Sequence, residues 1–236
     1  MLEVHVWSVE LSAPADRIAE AAGLLSPDET TRALKFRFER LRQRFVLARA
    51  VLRTLLGRCL DADPAHIEFL YGPRGKPSLA PPDAHLRFNL SHSGNIALYA
   101  VAEGCEVGID VEEIRPVDHM EQIAARFFCA AEAAALAQVD PEHRVEAFFN
   151  CWTRKEAYLK ATGDGLSAPL SGFQVTLKPG EPARFVDFAG DRNAAAAWAL
   201  HHLDPLPGYA GALALCDPRP VRMHALVSAS ELLAAR

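Results

Sequence analysis

Leu2, Val4 and Val6 alternate with polar positions, so Met1–Val9 reads as a half-buried strand. A helix follows near Pro14–Ala22. Ser26-Pro27-Asp28-Glu29 then carries helix-start chemistry: a capping serine, proline at the first position and acids in the first turn. Behind it Phe36, Leu41, Phe45, Leu52 and Leu56 recur at helical spacing as far as Gly57, as one long helix or as two with a break near Phe36–Glu39. Tyr71–Pro82, rich in Gly and Pro, reads as a loop. Phe88–Leu90, Ile96–Val101 and Val107–Val111 read as strands, with a turn at Ser93-Gly94-Asn95.

Helices return at Met120–Phe128, Ala130–Gln138 and His143–Ala161, the last stopped by Gly163-Asp164-Gly165. Four strand-like runs follow, at Phe173–Lys178, Ala196–His202, Ala210–Leu215 and Val221–Val227, and a short helix closes the chain. Strands and helices cluster without regular alternation, which favours α+β over a doubly wound sheet. The order strand, helices, strands occurs twice, before and after residue 108, and suggests two similar halves, 1–108 and 109–236.

Composition narrows the class. The 236 residues are 50% hydrophobic and 23% charged, the profile of a globular protein with a substantial core. A disordered regulator and a collagen-like fibre are excluded. The five cysteines are odd in number and lack a C-x-x-C pair, so reduced thiols are expected rather than a zinc cage or a disulfide framework. The first residues lack the pattern of a secretion signal, and no run approaches the ~18 apolar residues of a membrane span. A cytoplasmic protein without membrane contact is the expectation. Residues 32–58 hold nine Lys or Arg against the single acid Glu39, a local +8 inside a chain of net charge −5. That stretch is either a solvated helix face or an anion-binding surface.

Four segments carry candidate chemistry. In Val107-Gly108-Ile109-Asp110-Val111-Glu112-Glu113 the carboxylates of Asp110 and Glu112 share one strand face while Ile109 and Val111 share the other. Paired carboxylates suit a hard divalent cation, or simply end a solvated strand. In Trp152-Thr153-Arg154-Lys155-Glu156-Ala157-Tyr158-Leu159-Lys160, Glu156 and Lys160 are four apart on one helix ridge. They could form an ordinary surface salt bridge, or supply a third metal ligand with Lys155 and Lys160 as phosphate partners. Asn89-Leu90-Ser91-His92-Ser93-Gly94 is a candidate anion nest or a structural turn. Gly72-Pro73-Arg74-Gly75-Lys76-Pro77 is a rigid basic tip with the wrong spacing for a Walker loop or a dinucleotide fingerprint. Together, three acids, several cations and an imidazole suit a substrate rich in phosphate charge.

These segments, in this order and spacing, resemble the Sfp-type 4′-phosphopantetheinyl transferases. Gly75-Lys76-Pro77, Phe88–Ser93, Gly108–Glu112, Phe127-Phe128, Trp152–Lys160 and Gly163-Asp164-Gly165-Leu166 carry the likeness. It implies a pseudo-twofold α+β monomer with its active site between the halves. The implied reaction is Mg²⁺-dependent, with Mn²⁺ as an alternative metal. It moves the phosphopantetheine arm of coenzyme A to a serine of an apo acyl or peptidyl carrier protein of polyketide, non-ribosomal peptide or fatty-acid synthesis. Adenosine 3′,5′-bisphosphate is released and no nucleic acid takes part.

By the resemblance, Asp110, Glu112 and Glu156 are metal ligands, and Asp110, Glu156 and Lys160 carry the catalysis. Arg32, Arg44, Lys76, Pro77, Ser91, His92, Lys155 and Lys160 bind coenzyme A. Glu29 departs from the pattern, standing where many members have a lysine for the 3′-phosphate; Lys35, Arg37 or Arg40 would compensate. Arg53 and Arg58 are expected to be plain surface. Two other classes compete: a metal-dependent nucleotide phosphohydrolase, which needs no protein acceptor, and a catalytically dead binding module. The module would have lost the acidic ligands, and all three are present.

Overall fold

A computed structural model of the chain describes residues 3–163, 169–188 and 195–234. Asp164 and Gly165 of the expected helix stop, and Leu166 of the motif that continues it, lie outside them. Strand β1 (Val4–Glu10) leads into α1 (Ala15–Ala22), α2 (Pro27–Ala33) and the 22-residue α3 (Glu39–Leu60). The chain therefore breaks at residues 34–38, between α2 and α3, rather than running as one helix. A short hairpin, β2 (Phe69–Tyr71) and β3 (Pro77–Leu79), begins just before the stretch read as loop and puts its second strand inside it. Strands β4 (Leu86–Ser93) and β5 (Ile96–Glu103) complete the first half.

The second half repeats this order. Strand β6 (Val107–Glu113) precedes α4 (Met120–Phe127), α5 (Ala130–Ala137) and the 22-residue α6 (Pro141–Thr162). Strands β7 (Gln174–Val175), β8 (Phe185–Asp187), β9 (Ala199–Leu203) and β10 (Tyr209–Leu215) follow. Strand β11 (Val221–Ser228) and helix α7 (Ala229–Ala234) return to the first half, where β11 pairs in parallel with β1.

The sheets repeat the topology too. The first has the order β11-β1-β5-β4 and the second β6-β10-β9, so β1-β5-β4 and β6-β10-β9 are equivalent antiparallel triplets. Alternation explains the layers. Ile96, Leu98 and Ala100 of β5 share a buried core with Val107, Ile109 and Val111 of β6, while Ala97, Tyr99 and Val101 face Leu52 and Leu56 of α3. Helix α6 covers the second sheet through Ala157 and Leu159 against Ala210, Ala212 and Ala214.

A buried ion pair ties the long helix to the short one before it in each half. Glu29 accepts from the Ser26 amide at the start of α2 and pairs with Arg49 and Arg53 of α3. Glu132 accepts from the Cys129 amide at the start of α5 and pairs with Lys155 of α6 at 2.8 Å. Arg53 and Lys155 stand at the same position along their helices. Arg53 is only 1% exposed, so it is not plain surface; Arg58 is exposed, as expected, and donates to the Leu232 carbonyl of α7. Burial would raise the Glu29 carboxyl. Arg49, the Ser26 amide and Arg53 outweigh that and hold it below its usual range. Its stabilising contribution is therefore present at neutral pH and lost as acidification protonates it.

Gly108 sets how closely β6 approaches α6. A Cβ built there would lie 2.0 Å from the Ala157 carbonyl oxygen and 2.3 Å from the Ala161 amide nitrogen. Gly108→Ala is expected to destabilise the protein by about 3 kcal/mol, because two backbones must separate to admit one methyl. Urea unfolding checks this, and a loss under about 0.5 kcal/mol would show that the two elements part freely.

Candidate functional site

The site forms where edge strand β4 of the first sheet runs beside edge strand β6 of the second. Alternate residues of β4 reach across. Asn89 Oδ1 accepts from the Ile109 amide (2.9 Å), Ser91 Oγ donates to Asp110 Oδ1 (2.8 Å) and Ser93 Oγ donates to Glu112 Oε2 (2.7 Å). The Glu113 amide donates to Ser93 Oγ at 3.1 Å. The serines thus belong to a strand, not to a turn, and the turn shrinks to Gly94-Asn95. Period-two spacing points Asn89, Ser91 and Ser93 the same way, a signal available in the sequence that would have added Asn89 and Ser93 to the candidates.

Gly108, Asp110 and Glu112 face α6, and the close approach at Gly108 brings Glu156 and Lys160 over them. Lys160 Nζ donates to Asp110 Oδ1 (2.6 Å) and to Ser91 Oγ (2.8 Å). The expected Glu156–Lys160 ridge pair is thus replaced by a bond to the strand below. Asp110 Oδ2 and Glu156 Oε1 are buried and have no hydrogen-bond partner. Burial, then the neighbouring Asp110 charge, pushes the Glu156 carboxyl up, against the pull of Lys160. Burial also raises Glu112, and Asp110 adds to the rise against the Ser93 hydrogen bond.

Two orphaned carboxylate oxygens among three mutually repelling acids are what a hard cation would relieve. The donor set therefore fits Mg²⁺ or Mn²⁺. Among the described residues no three such side chains are already gathered closely enough to hold a metal, and the Lys160 ammonium supplies the positive charge beside Asp110.

Beside the acids lies a cavity of 170 Å³ lined by residues that include Arg32, Phe45, Arg49, Tyr71, Pro77 and His92. A second, of 250 Å³, shares Arg32 and Phe45 and adds Lys35 and Phe36. Partial desolvation, then the charges of Lys160 and Arg44, lowers the His92 pKa and favours the neutral imidazole. Arg44 Nε donates to Asn95 Oδ1 at 3.2 Å. Lys76 lies at the edge of this region, donating to the Ala161 carbonyl at the end of α6 (2.8 Å) and to Glu106 (3.4 Å). A larger cavity of 620 Å³, near Arg17, Thr54 and Asp61, includes none of the candidate residues.

One candidate is misplaced. Lys155 has no solvent exposure: its ammonium donates to Glu132 and to the Leu170 and Phe173 carbonyls, each of these at 2.6 Å. Its three protons are spent in the core of the second half, so it does not reach phosphate. Glu29, the departure from the expected pattern, proves to be the counterpart of Glu132, and it fixes Arg49 in the cavity wall.

Two family models match the chain. One, for the 4′-phosphopantetheinyl transferase superfamily, covers residues 106–214, and the other, for the N-terminal part of a 4′-phosphopantetheinyl transferase, covers residues 12–104. The chain is 42% identical over 205 residues to 4′-phosphopantetheinyl transferase HetI of Nostoc sp., covering 86% of this chain and 83% of that protein. It is 33% identical over 223 residues to psf-1 of Bacillus pumilus, covering 92% and 91%. It is also 33% identical over 154 residues to Sfp of Bacillus subtilis, covering 65% and 66%.

Proposed function

Since the chain belongs to the 4′-phosphopantetheinyl transferase superfamily, we propose that it transfers the phosphopantetheine arm of coenzyme A to a serine of an apo acyl or peptidyl carrier protein. The observation that carries this reading at the level of the site is the meeting of Asp110, Glu112, Glu156 and Lys160 beside a basic, aromatic-walled cavity. In this reading residues 1–108 receive the coenzyme's adenine and 3′-phosphate, and residues 109–236 supply the acids and the catalytic helix.

Asp110, Glu112 and Glu156 would hold Mg²⁺, or Mn²⁺, which when bound neutralises charge developing on the diphosphate. Pro77, Tyr71 and Phe45 wall the adenine. Arg32, with Lys35 in the adjoining cavity and Arg44 nearby, answers the 3′-phosphate in place of the lysine absent at Glu29. His92, favoured neutral, donates a hydrogen bond to phosphate, and Lys160 shifts from Asp110 toward the diphosphate oxygens. Glu156, whose buried carboxyl binds a proton more readily than an exposed glutamate, takes the proton from the attacking serine. The enzyme acts as a cytoplasmic monomer in polyketide, non-ribosomal peptide or fatty-acid synthesis.

Intact mass of an apo-carrier incubated with the protein, Mg²⁺ and coenzyme A tests the reading. A gain of one phosphopantetheine arm is expected. No gain across several carriers from folded protein, or breakdown of coenzyme A in the absence of any carrier, would overturn it.

A further inference from the structure

Cys105 lies in the link between β5 and β6, which joins the two halves, and Cys216 immediately follows β10. Their sulfur atoms are 3.2 Å apart. The backbone holds them there: the Cys216 amide donates to the Glu106 carbonyl (3.1 Å) and the Glu106 amide donates to Cys216 Sγ (3.1 Å). Both residues flank the last rungs of the β6–β10 ladder, where Val107 pairs with Leu215, so neither end is free to drift. Bond formation needs the sulfurs to approach by about 1 Å, within reach of small side-chain rotations. Cys105 is 1% exposed and Cys216 half-buried, so a reagent in solution meets Cys216 first.

We propose that Cys105 and Cys216 form a reversible dithiol–disulfide site that ties the link between the halves to the end of β10. The oxidant is a low-molecular-weight disulfide such as oxidised glutathione. The Cys216 thiolate attacks one sulfur of that disulfide and expels one glutathione thiolate. The Cys105 thiolate then attacks Cys216 Sγ and expels the second. Two protein thiols lose two electrons and two protons, and the oxidant becomes two thiols.

The surroundings set the speed. Burial, then the hydrogen bond and charge of Cys216, pushes the Cys105 thiol up to about 11, with the Arg219 guanidinium pulling the other way. Glu106, also beside the pair, is held by Lys76 and Arg87. The Cys105 thiolate is therefore scarce at neutral pH, and closure of the cross-link quickens between pH 7 and 9.

The test uses the full chain, reduced, freed of reductant and incubated with oxidised glutathione at pH 8.5, then quenched with N-ethylmaleimide in denaturant. Peptide mapping without reduction is expected to show the Cys105 and Cys216 peptides joined, a product reversed by dithiothreitol. Cys105→Ser is expected to stop the reaction at a glutathione adduct on Cys216. The cross-link closes a long loop, so Tm rises by several degrees on oxidation and falls back on reduction. Recovery of both peptides as maleimide adducts while the exposed Cys59 has taken up glutathione would overturn the proposal. So would a stable Cys216–glutathione adduct in the unaltered chain.

Discussion

Lys155→Met is expected to lower Tm by about 10 °C while leaving turnover of the folded protein within about twofold. The side chain shares its helix with two candidate site residues, Glu156 and Lys160, yet its ammonium is enclosed by Glu132 and two carbonyls, with the Phe173 ring 4.3 Å away. Removing it strands the Glu132 carboxylate at 0% exposure, and an uncompensated buried charge costs about 3–5 kcal/mol. Glu132 keeps its bonds from the Cys129 and Val175 amides, so the fold survives in weakened form. The double variant Lys155→Met/Glu132→Gln, which leaves no stranded charge, should recover much of the loss. Thermal melts of the three proteins decide the matter. Lost turnover with unchanged Tm in Lys155→Met would return Lys155 to the site.

Glu156→Gln should do the opposite: kcat falls by about 10²–10³-fold while Tm holds or rises. Burial and the Asp110 charge raise the Glu156 carboxyl above its unfolded value, so the folded state binds this proton more tightly than the unfolded chain. At neutral pH the ionised group therefore works against folding, and its neutral amide relieves that. Glu112 is raised in the same direction. Transfer should accordingly fade on acidification while ordinary exposed carboxylates, near about 4.3 for glutamate, are still ionised. Mg²⁺ should raise the Tm of the unaltered protein and do so less in Glu156→Gln. Near-normal turnover of that variant at saturating Mg²⁺ would remove both roles assigned to Glu156.

The contrast between Lys155 and Glu156 shows what a sequence conveys and what it hides. Alternation in Val107–Glu113 correctly put Ile109 and Val111 in the core and Asp110 and Glu112 on the opposite face, because a strand has a fixed period of two. Ser26-Pro27 marked a real helix start for a local reason of capping, whereas periodicity alone left open whether the chain breaks between Ala33 and Glu39. Lys155 could not be placed the same way. Which side of a helix a charged residue faces is betrayed only by its partner, and Glu132 stands 23 positions earlier. The same holds for Glu29, whose partners lie a full helix away. The β2–β3 hairpin escaped notice because its strands are three residues each and one begins with proline. Parallel pairing of β11 with β1 joins residues near opposite ends of the chain and leaves no local trace.

That last pairing bears on how the protein is made. Strand β1 is internal to its sheet only once Val221–Ser228 has docked, and Arg219 fastens the approach by donating to the Glu103 carbonyl. Until Val221–Ser228 has been synthesised, the first half presents β1 as an open edge bearing Val4, Val6 and Val9, all fully buried afterwards. An open apolar edge invites pairing with other nascent chains. Premature termination before Val221 would make that exposure permanent, so such fragments are aggregation-prone even though every acid at the β4–β6 seam has already been synthesised.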